Sequence, residues 1–313
     1  MINKKAKFDL EIKRLSGLDE NFFGYKTPDG KVYDNYLSND TWDNFKNQMS
    51  NRFRQSYSDG SGGELLPSKG RGGWYPPKMA SIASSSRFAY LTFKDDPETT
   101  IRKIIPDIFS GGDFRFEDKI SIPNVSGTPN LDASYKVKGK QSVYFEAKCH
   151  EIFDTHYPIW RNAYFDNGAF FGNDCKSLCI PDYENNVKPH FKKDRETKLK
   201  IMDHESKELS TEIFDIGDER LYLDIKQFVC HLLGVANDDA PKKELIYLYF
   251  KPSSMIEFKE EYLILEKQFE SFCKSDVISS FCERNNITLK LVYATNDKMT
   301  DEFMPLIIYD FPN

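Results

Sequence analysis

The sequence predicts an α/β fold in which a central mixed β-sheet is flanked by helices. Residues 131–137 and 142–149 alternate in the way that β-strands do, and residues 245–250 form a continuously apolar strand. Residues 219–234 carry apolar side chains at the spacing of an amphipathic helix. Strands that alternate with helices along the chain are typical of a sheet that helices cover.

The composition supports a folded protein with a sizeable core. The 313 residues suffice for one large or two smaller domains, and 39% of them are hydrophobic. The net charge of −6 argues against a general nucleic-acid coat protein, but a nuclease can have a local basic groove. There is no apolar run of about 18 residues and no secretion signal. We therefore expect a cytoplasmic protein that contacts no membrane and keeps its six cysteines reduced.

Two regions are expected along the chain. Residues 1–77 are interpreted as an N-terminal helical extension that ends in a Gly-rich loop at 58–77. That loop is either a segment that orders on a substrate or a surface linker. Residues 78–313 form the α/β domain, which an insertion interrupts at about residues 150–217. The insertion is rich in aromatic and charged residues and has no clear period.

The remaining elements follow from periodicity and from helix-breaking residues. Helices are predicted at about residues 79–91, 96–106, 219–234, 257–272 and 275–285, and strands at about 114–121, 131–137, 142–149, 245–250 and 289–293. Gly234 is interpreted as the C-terminal stop of its helix. The predicted core order is therefore α, β, β, β, insertion, α, β, α, β.

Charged side chains in the first two alternating strands carry the functional signal. Alternation places Asp132 on one face of its strand, and Glu146 and Lys148 on one face of the next. Two carboxylates beside an ammonium group are costly to assemble unless a cation such as Mg²⁺ joins them. This combination predicts hydrolysis of phosphodiester bonds. The alternative is an ordinary cross-strand Glu/Lys pair on a solvated face of the sheet.

The bare pattern Asp/Glu-x-Lys has little weight, because it recurs elsewhere, for example at Glu117-Asp118-Lys119 and Glu196-Thr197-Lys198. The strongest rival is Asp224-Ile225-Lys226, but the apolar spacing that follows it indicates a helix. Only Glu146-Ala147-Lys148 ends a β-branched and aromatic run and has a partner Asp in a neighbouring strand. The context, rather than the pattern, therefore selects this triplet.

The length of the turn between the two strands tests the hypothesis. Asp132 shares a face with Glu146 and Lys148 only if the loop has an odd number of residues, with its centre at Gly139 or Lys140. Gly139 can supply the positive φ that such loops need. A two-residue turn would place Asp132 on the wrong face.

These residues resemble the PD-(D/E)XK nuclease superfamily, which has the restriction-endonuclease-like fold. The matching segments are Pro129-Asn130-Leu131-Asp132 and Glu146-Ala147-Lys148, and the predicted core order also fits that family. The resemblance covers roughly residues 78–150 and 218–295 and is nearest to bacterial restriction-endonuclease-like proteins. The chain departs from the family pattern in two ways: the proline stands three positions before the aspartate, and the insertion is long.

The resemblance implies a role for each residue of the motif. Asp132, Glu146 and the carbonyl of Ala147 would bind Mg²⁺ or Mn²⁺, and Lys148 would orient or deprotonate the attacking water. Gln227, in the helix after the insertion, would position Lys148 or a phosphate. Some members of the family add a glutamate near the first helix, for which Glu64 and Glu117 are the candidates here.

Weaker signals each have a plain structural alternative. His231 lies four residues after Gln227 and so shares its face, but it could equally be a satisfied core histidine. Arg87 could contact phosphate, or its helix could simply pack on the sheet through small residues. Arg71 and Trp74 of the Gly-rich loop could bind nucleic acid or lie on a linker. A zinc site could be drawn around Cys175 and Cys179 with nearby histidines, but scattered thiols explain that spacing equally well.

We therefore expect a Mg²⁺-dependent endonuclease that acts on DNA in restriction, phage defence or repair. The sequence does not separate DNA from RNA as the substrate, and it is compatible with a homodimer. No motif for ATP or NAD binding is present. The alternative function is a non-catalytic module that binds nucleic acid or protein and has a nuclease-like fold.

Overall fold

The computed structural model describes residues 4–60, 63–123, 125, 128–153, 190–193, 199–202, 209–210, 222–252, 258–295 and 307–310. In these residues a mixed β-sheet is flanked by helices, so the predicted α/β class is confirmed. No helix in the described part of the chain is long and apolar enough to cross a membrane.

The described helices are α1 (Lys4–Ser16), α2 (Asn39–Gln48), α3 (Asn51–Asp59), α4 (Ser85–Phe93), α5 (Pro97–Ile104), α6 (Ile225–Ala236), α7 (Lys259–Lys274) and α8 (Asp276–Arg284). The described strands are β1 (Phe23–Lys26), β2 (Val32–Leu37), β3 (Ser68–Gly70), β4 (Gly73–Tyr75), β5 (Asp113–Lys119), β6 (Asn130–Val137), β7 (Gln141–Lys148), β8 (His190–Lys193), β9 (Leu199–Met202), β10 (Leu209–Ser210), β11 (Lys242–Phe250), β12 (Ile287–Thr295) and β13 (Ile307–Asp310).

The central sheet has the strand order β13-β12-β11-β7-β6-β5. Strands β5, β6 and β7 form an antiparallel meander. Strand β7 then pairs in parallel with β11, and β11 pairs in parallel with β12. Each parallel connection needs a crossover, and helices supply it, so both faces of the sheet are covered.

Helices α4 and α6 cover opposite faces at the centre of the sheet. Every residue of β7 is buried, which accounts for its aromatic and β-branched composition. On one face Phe145 packs against Phe93 of α4, with ring centroids 4.7 Å apart. On the other face Tyr247 of β11 stacks on Phe228 of α6, with centroids 3.4 Å apart. Glu146 follows Phe145 in the strand and therefore faces α6.

The N-terminal region is more varied than the predicted helical extension. It contains α1, α2 and α3, but also the β1–β2 hairpin. Phe8 of α1 is fully buried against Phe153, Phe250 and Phe258, so this region shares the core of the rest of the chain. Its aromatic residues serve this packing.

The Gly-rich segment is also more regular than expected. Strands β3 and β4 form a tight hairpin within it. The hydroxyl of Tyr33 donates a 2.9 Å hydrogen bond to the carbonyl of Trp74, and the N–H of Trp74 donates to Asp29. The described part of the segment is therefore tied to the β1–β2 hairpin.

Two predicted helices have different limits in the structure. The helix expected at 79–91 is a short 3-10 turn at Lys78–Ala80 followed by α4, which the side chain of Ser84 caps. The prediction that Gly234 ends its helix is wrong, because α6 continues to Ala236. A Cβ at Gly234 would come within 2.4 Å of Ile120, so the glycine permits close packing on the loop after β5.

Most of the predicted insertion lies outside the described residues. Its described parts are residues 150–153, which include a 3-10 turn at Glu151–Phe153, and strands β8, β9 and β10, which form a separate antiparallel sheet. Cys175 and Cys179, around which a zinc site could be drawn, also lie outside the described residues.

Candidate active site

The hairpin of β6 and β7 brings the predicted acidic residues together. The two strands pair around a three-residue loop, residues 138–140. Gly139 stands at its centre with φ of 68°, a conformation that favours glycine. The predicted odd-length turn centred on Gly139 is thus confirmed. The pairing ends with Ala133 opposite Phe145, and continuing it by one residue in each strand places Asp132 opposite Glu146.

A row of carboxylates crosses three neighbouring strands at this level. By register, Glu117 of β5 lies on the other side of Asp132 from Glu146. Adjacent strands are about 4.8 Å apart, so the row spans about 10 Å. None of the three side chains is more than 9% exposed. Tyr247 of β11 is the register partner of Glu146 and continues the row.

Asp132 is fixed by the backbone of the neighbouring strand. Its Oδ2 accepts a 2.7 Å hydrogen bond from the N–H of Ala147. In a regular ladder such an N–H donates to a carbonyl of the facing strand. The carboxylate therefore takes the place of a ladder acceptor at the point where the two strands stop pairing, and its Oδ1 lies outside this bond.

Glu146, Lys148 and Gln227 form a closed triangle of hydrogen bonds. The Nζ of Lys148 donates to Oε1 of Glu146 and to Oε1 of Gln227, both at 2.7 Å. The Nε2 of Gln227 donates to the same Oε1 of Glu146, again at 2.7 Å. Asp224 caps α6 by accepting a bond from the N–H of Gln227, which fixes the first turn of that helix. The structure thus brings Gln227 to the site, as expected.

His231 supports the triangle from one turn further along α6. Its Nδ1 lies 2.8 Å from the hydroxyl of Tyr247, and its Nε2 lies 3.9 Å from Oε2 of Glu146. Burial lowers the pKa of His231 to about 3, and the charge of Lys148 acts in the same direction. The ring is therefore neutral at physiological pH. His231 both faces the site and has a hydrogen-bond partner in the core.

The other end of the row, at β5, is less well satisfied. Glu117 has φ of 50°, which is rare for a residue other than glycine. Its Oε2 accepts a bond from Asn130 at 3.2 Å. Glu64 is 4% exposed, and its Oε1 accepts a 2.7 Å bond from Lys78. The Oε2 of Glu64 is buried and has no hydrogen-bond partner among the residues that the structure describes.

Burial and mutual repulsion shape the electrostatics of the row. Burial, with the charges of Glu146 and Glu117, raises the pKa of Asp132 well above its usual range. Burial also raises the pKa of Glu146, although Lys148 opposes the shift. Burial and the charge of Glu64 raise the pKa of Glu117 to about 7. The row therefore takes up protons more readily than isolated carboxylates do, because the side chains around it do not balance its full ionisation.

Lys148 remains protonated in this environment. Burial alone would lower the pKa of its ammonium, but the charges of Glu146 and Glu151 outweigh that effect and raise the pKa. Glu151 lies just beyond β7, where its carboxylate accepts a 2.6 Å bond from the N–H of Cys149. Lys148 is thus a cation rather than a base.

The donor set fits a Mg²⁺ or Mn²⁺ ion that is only partly enclosed by protein. Within the described ranges, no three His, Cys, Asp or Glu side chains are grouped so that they could hold a metal ion by themselves. Mg²⁺ commonly uses one or two carboxylates and completes its octahedron with waters and substrate phosphates. Oδ1 of Asp132 and Oε2 of Glu146 lie outside the hydrogen bonds described above and could serve in that way. Such a cation would stabilise the ionised form of these carboxylates, which burial and their mutual repulsion disfavour.

The residues predicted to contact nucleic acid are less favourably placed. Arg87 is 4% exposed, and its guanidinium donates to the carbonyls of Met79 and Ile82 at 3.1 and 2.9 Å. It is therefore engaged in the fold, and the expectation that it contacts phosphate is not supported by its position. Arg71 is exposed at the tip of the β3–β4 hairpin and Trp74 is half-buried beside it, so their predicted role stays open.

Two residues near the row were not anticipated from the sequence. Lys78 lacks any periodic or motif signal, because its position depends on a turn whose partner, Glu64, is fourteen residues away. Glu151 follows the motif directly, and its proximity to Lys148 could have been inferred from the short distance along the chain. Among the described residues, Cys149, Cys273 and Cys282 are free thiols.

No protein-family model, curated protein or solved structure matches this chain. The interpretation of the site therefore depends on its residues and their geometry.

Proposed function

We propose that this chain is a metal-dependent nuclease that hydrolyses phosphodiester bonds in DNA, with a restriction-endonuclease-like core. The observation that carries the proposal is the shared, buried position of Asp132, Glu146 and Lys148 beside Gln227. An antiparallel meander followed by a helix and a parallel strand supports the proposed core. The specific fold, the activity and the substrate are all parts of the proposal.

Asp132 and Glu146 would hold the divalent cation. When bound, the cation would lower the pKa of a coordinated water and stabilise the charge that develops on the phosphate oxygens. The bond from Ala147 to Asp132 fixes one carboxylate, and the bond from Gln227 fixes the other. Both are therefore preorganised, which reduces the cost of reaching a productive geometry.

Lys148 would supply a fixed positive charge next to the reacting phosphate. Because it stays protonated, it is suited to orienting the water and stabilising the transition state rather than to removing a proton. Gln227 holds the ammonium group in place through its Oε1. Neutral His231 adds no further positive charge, and the hydrogen bond at its Nδ1 keeps Tyr247 in position beside Glu146.

Cleavage assays with the purified full chain test the proposal. We expect plasmid and duplex DNA to be cut with Mg²⁺ or Mn²⁺ and to remain intact with EDTA. Asp132→Asn, Glu146→Gln and Lys148→Met should each lower the rate by about 10³-fold, since each removes several kcal/mol of transition-state stabilisation. Matched single-stranded and duplex RNA substrates show which nucleic acid is preferred.

The control is Glu260→Gln, which removes an exposed carboxylate on α7. This variant should cleave at the rate of the unmodified chain. Full activity in the Asp132 and Glu146 variants, or no activity on any nucleic acid with either metal, would refute the nuclease assignment.

A second candidate function is a non-catalytic nucleic-acid or protein-binding module. The observation that favours it is the closed triangle, in which Lys148 already neutralises Glu146 without a metal. Under this alternative the chain binds no Mn²⁺, and substitution of Asp132 changes no binding property. Calorimetric titration with Mn²⁺ therefore separates the two functions.

A further inference from the structure

Lys78 stands at the end of the carboxylate row that is remote from Lys148. Its Nζ lies 2.7 Å from Oε1 of Glu64, and its positive charge acts on Glu117 and Asp132. Strand order places Lys148 on β7 and Glu117 two strands away on β5. The row is therefore flanked by one lysine at each end.

The two lysines differ in how far solvent reaches them. The side chain of Lys148 is 10% exposed, whereas that of Lys78 is 66% exposed. The partner of Lys78 is nevertheless buried, since the side chain of Glu64 is 5% exposed. A large ligand can therefore reach the ammonium group of Lys78, which the buried carboxylate of Glu64 holds in place.

The backbone around Lys78 is fixed by several independent bonds. Its N–H donates to the carbonyl of Gly63 at 3.2 Å, and the N–H of Met79 donates to the carbonyl of Glu64 at 3.1 Å. The buried guanidinium of Arg87 binds the carbonyls of Met79 and Ile82 from the other side. Met79 is fully buried. The turn that presents Lys78 is therefore rigid.

The turn at Lys78 therefore holds an exposed ammonium group in a fixed position. Lys78 neutralises the buried carboxylate of Glu64, yet its own ammonium group stays open to solvent and so can contact a further anion. A lysine is, however, a common point-charge ligand for phosphate. Next to a row of carboxylates, such a cation would also reduce the repulsion that an approaching polyanion meets.

We propose that Lys78 is a substrate-binding residue that contacts a backbone phosphate of the nucleic acid beside the scissile bond. This inference rests on the proposed nuclease function. It adds a residue outside the predicted motif, and it assigns the two ends of the row different tasks. Lys148 acts on the reacting phosphate, and Lys78 holds a neighbouring one.

The test measures binding of a short DNA duplex at several KCl concentrations by fluorescence anisotropy. Glu146→Gln serves as the background, because it removes cleavage while an amide keeps the shape of the carboxylate. Adding Lys78→Met should weaken binding about tenfold and lower the slope of log affinity against log salt by about one, as expected for one lost phosphate contact. Lys103→Met, which removes an exposed lysine of α5, is the matched control and should change neither value.

A double substitution separates phosphate binding from simple neutralisation of Glu64. If Lys78 only offsets that carboxylate, Lys78→Met with Glu64→Gln restores binding. If Lys78 binds phosphate, the double variant stays as weak as the single one. Thermal melting of each variant confirms that it is folded.

The cleavage assay distinguishes failure of this inference from failure of the nuclease assignment. In the otherwise unmodified chain, Lys78→Met should raise KM about tenfold and leave kcat nearly unchanged, because uniform binding is lost. Unaltered affinity and salt slope, or no DNA binding by the background chain, overturns the role of Lys78. Absent cleavage with an intact Lys78-dependent salt slope overturns only the nuclease activity.

Discussion

The two ends of the carboxylate row differ in how their charge is balanced. At the α6 end, Glu146 has Lys148 and Gln227 as donors, and His231 and Tyr247 lie behind it. At the β5 end, one oxygen of Glu64 has no hydrogen-bond partner in the described part of the chain, and the pKa of Glu117 is raised to about 7. The first end is thus preorganised by the protein, whereas the second has too few donors and cations nearby to keep its carboxylates fully ionised.

This contrast gives the two ends opposite dependences on pH. A buried neutral histidine stabilises the fold less as pH falls, and a buried carboxylate with a raised pKa stabilises it less as pH rises. Substitutions at each end therefore test whether the charges there are balanced as described.

Loss of Lys148 should have the largest effect. Lys148→Met leaves Glu146 and Gln227 without their shared cation, and removal of one partner of a buried ion pair costs about 3–5 kcal/mol. Urea unfolding monitored by circular dichroism measures the change. Adding Glu146→Gln removes the unpaired charge and should recover most of the loss. Equal stability of the single variant and the unmodified chain would show that the triangle is not a buried ion pair.

His231 should make the fold sensitive to acid. Its pKa is about 3 when folded against an ordinary value of 6.5, so the unfolded state binds the proton first. Stability should therefore fall by about 1.4 kcal/mol per pH unit as pH decreases from 6.5 towards 3. His231→Gln should lack this acid-dependent loss of stability. The polar and charged neighbours of the ring, which remain in the variant, are Tyr247, Glu146, Lys148 and Asp224. Parallel pH profiles of the two proteins would contradict a buried neutral ring.

Glu117 should act in the opposite direction. Its pKa is raised from 4.5 to about 7, so the folded state binds the proton first. Stability measured in EDTA should fall by about 1.4 kcal/mol per pH unit as pH rises from 4.5 to 7 and then level off. Glu117→Gln should remove this component, whereas Glu260→Gln should keep it. A stability profile that Glu117→Gln leaves unchanged would mean that the β5 end carries no unbalanced charge.

Gly60 should show the smallest of these effects on stability. A Cβ at this position would come within 2.7 Å of the Cβ of Glu117, so Gly60→Ala requires strand β5 or the end of α3 to shift. Overpacking of this kind costs about 1–3 kcal/mol. Ser58→Ala on the exposed face of α3 is the control and should change stability by less than about 0.5 kcal/mol. The midpoint of urea unfolding measures both.

Local patterns predicted the part of the site that depends on alternation. The parity of the β6–β7 turn and its centre at Gly139 followed from the need for Asp132 to share a face with Glu146. The position of Gln227 beside Lys148 followed from the family resemblance and from the helical period of its segment. Such features depend on spacings of a few residues.

Contacts between distant segments could not be predicted in this way. Lys78 meets Glu64 because two loops are joined by backbone hydrogen bonds, and neither loop has a period. Gly234 lies within its helix rather than after it, and its lack of a side chain leaves room for Ile120 from another segment. The guanidinium of Arg87 is buried on carbonyls of the preceding turn, which no pattern in α4 indicates. In each case the deciding partner belongs to another element.

The central claim, that Asp132 and Glu146 hold a divalent cation, is tested most directly by calorimetric titration of the full chain with Mn²⁺. We expect saturable binding that releases protons, because burial and the neighbouring carboxylates raise the pKa of Asp132 well above its usual range and the metal must displace the proton that this favours. Asp132→Asn keeps an acceptor for the N–H of Ala147 and should abolish the binding, whereas Glu260→Gln should leave it unchanged. No heat of binding in the unmodified chain, or the same affinity in Asp132→Asn, would contradict the claim.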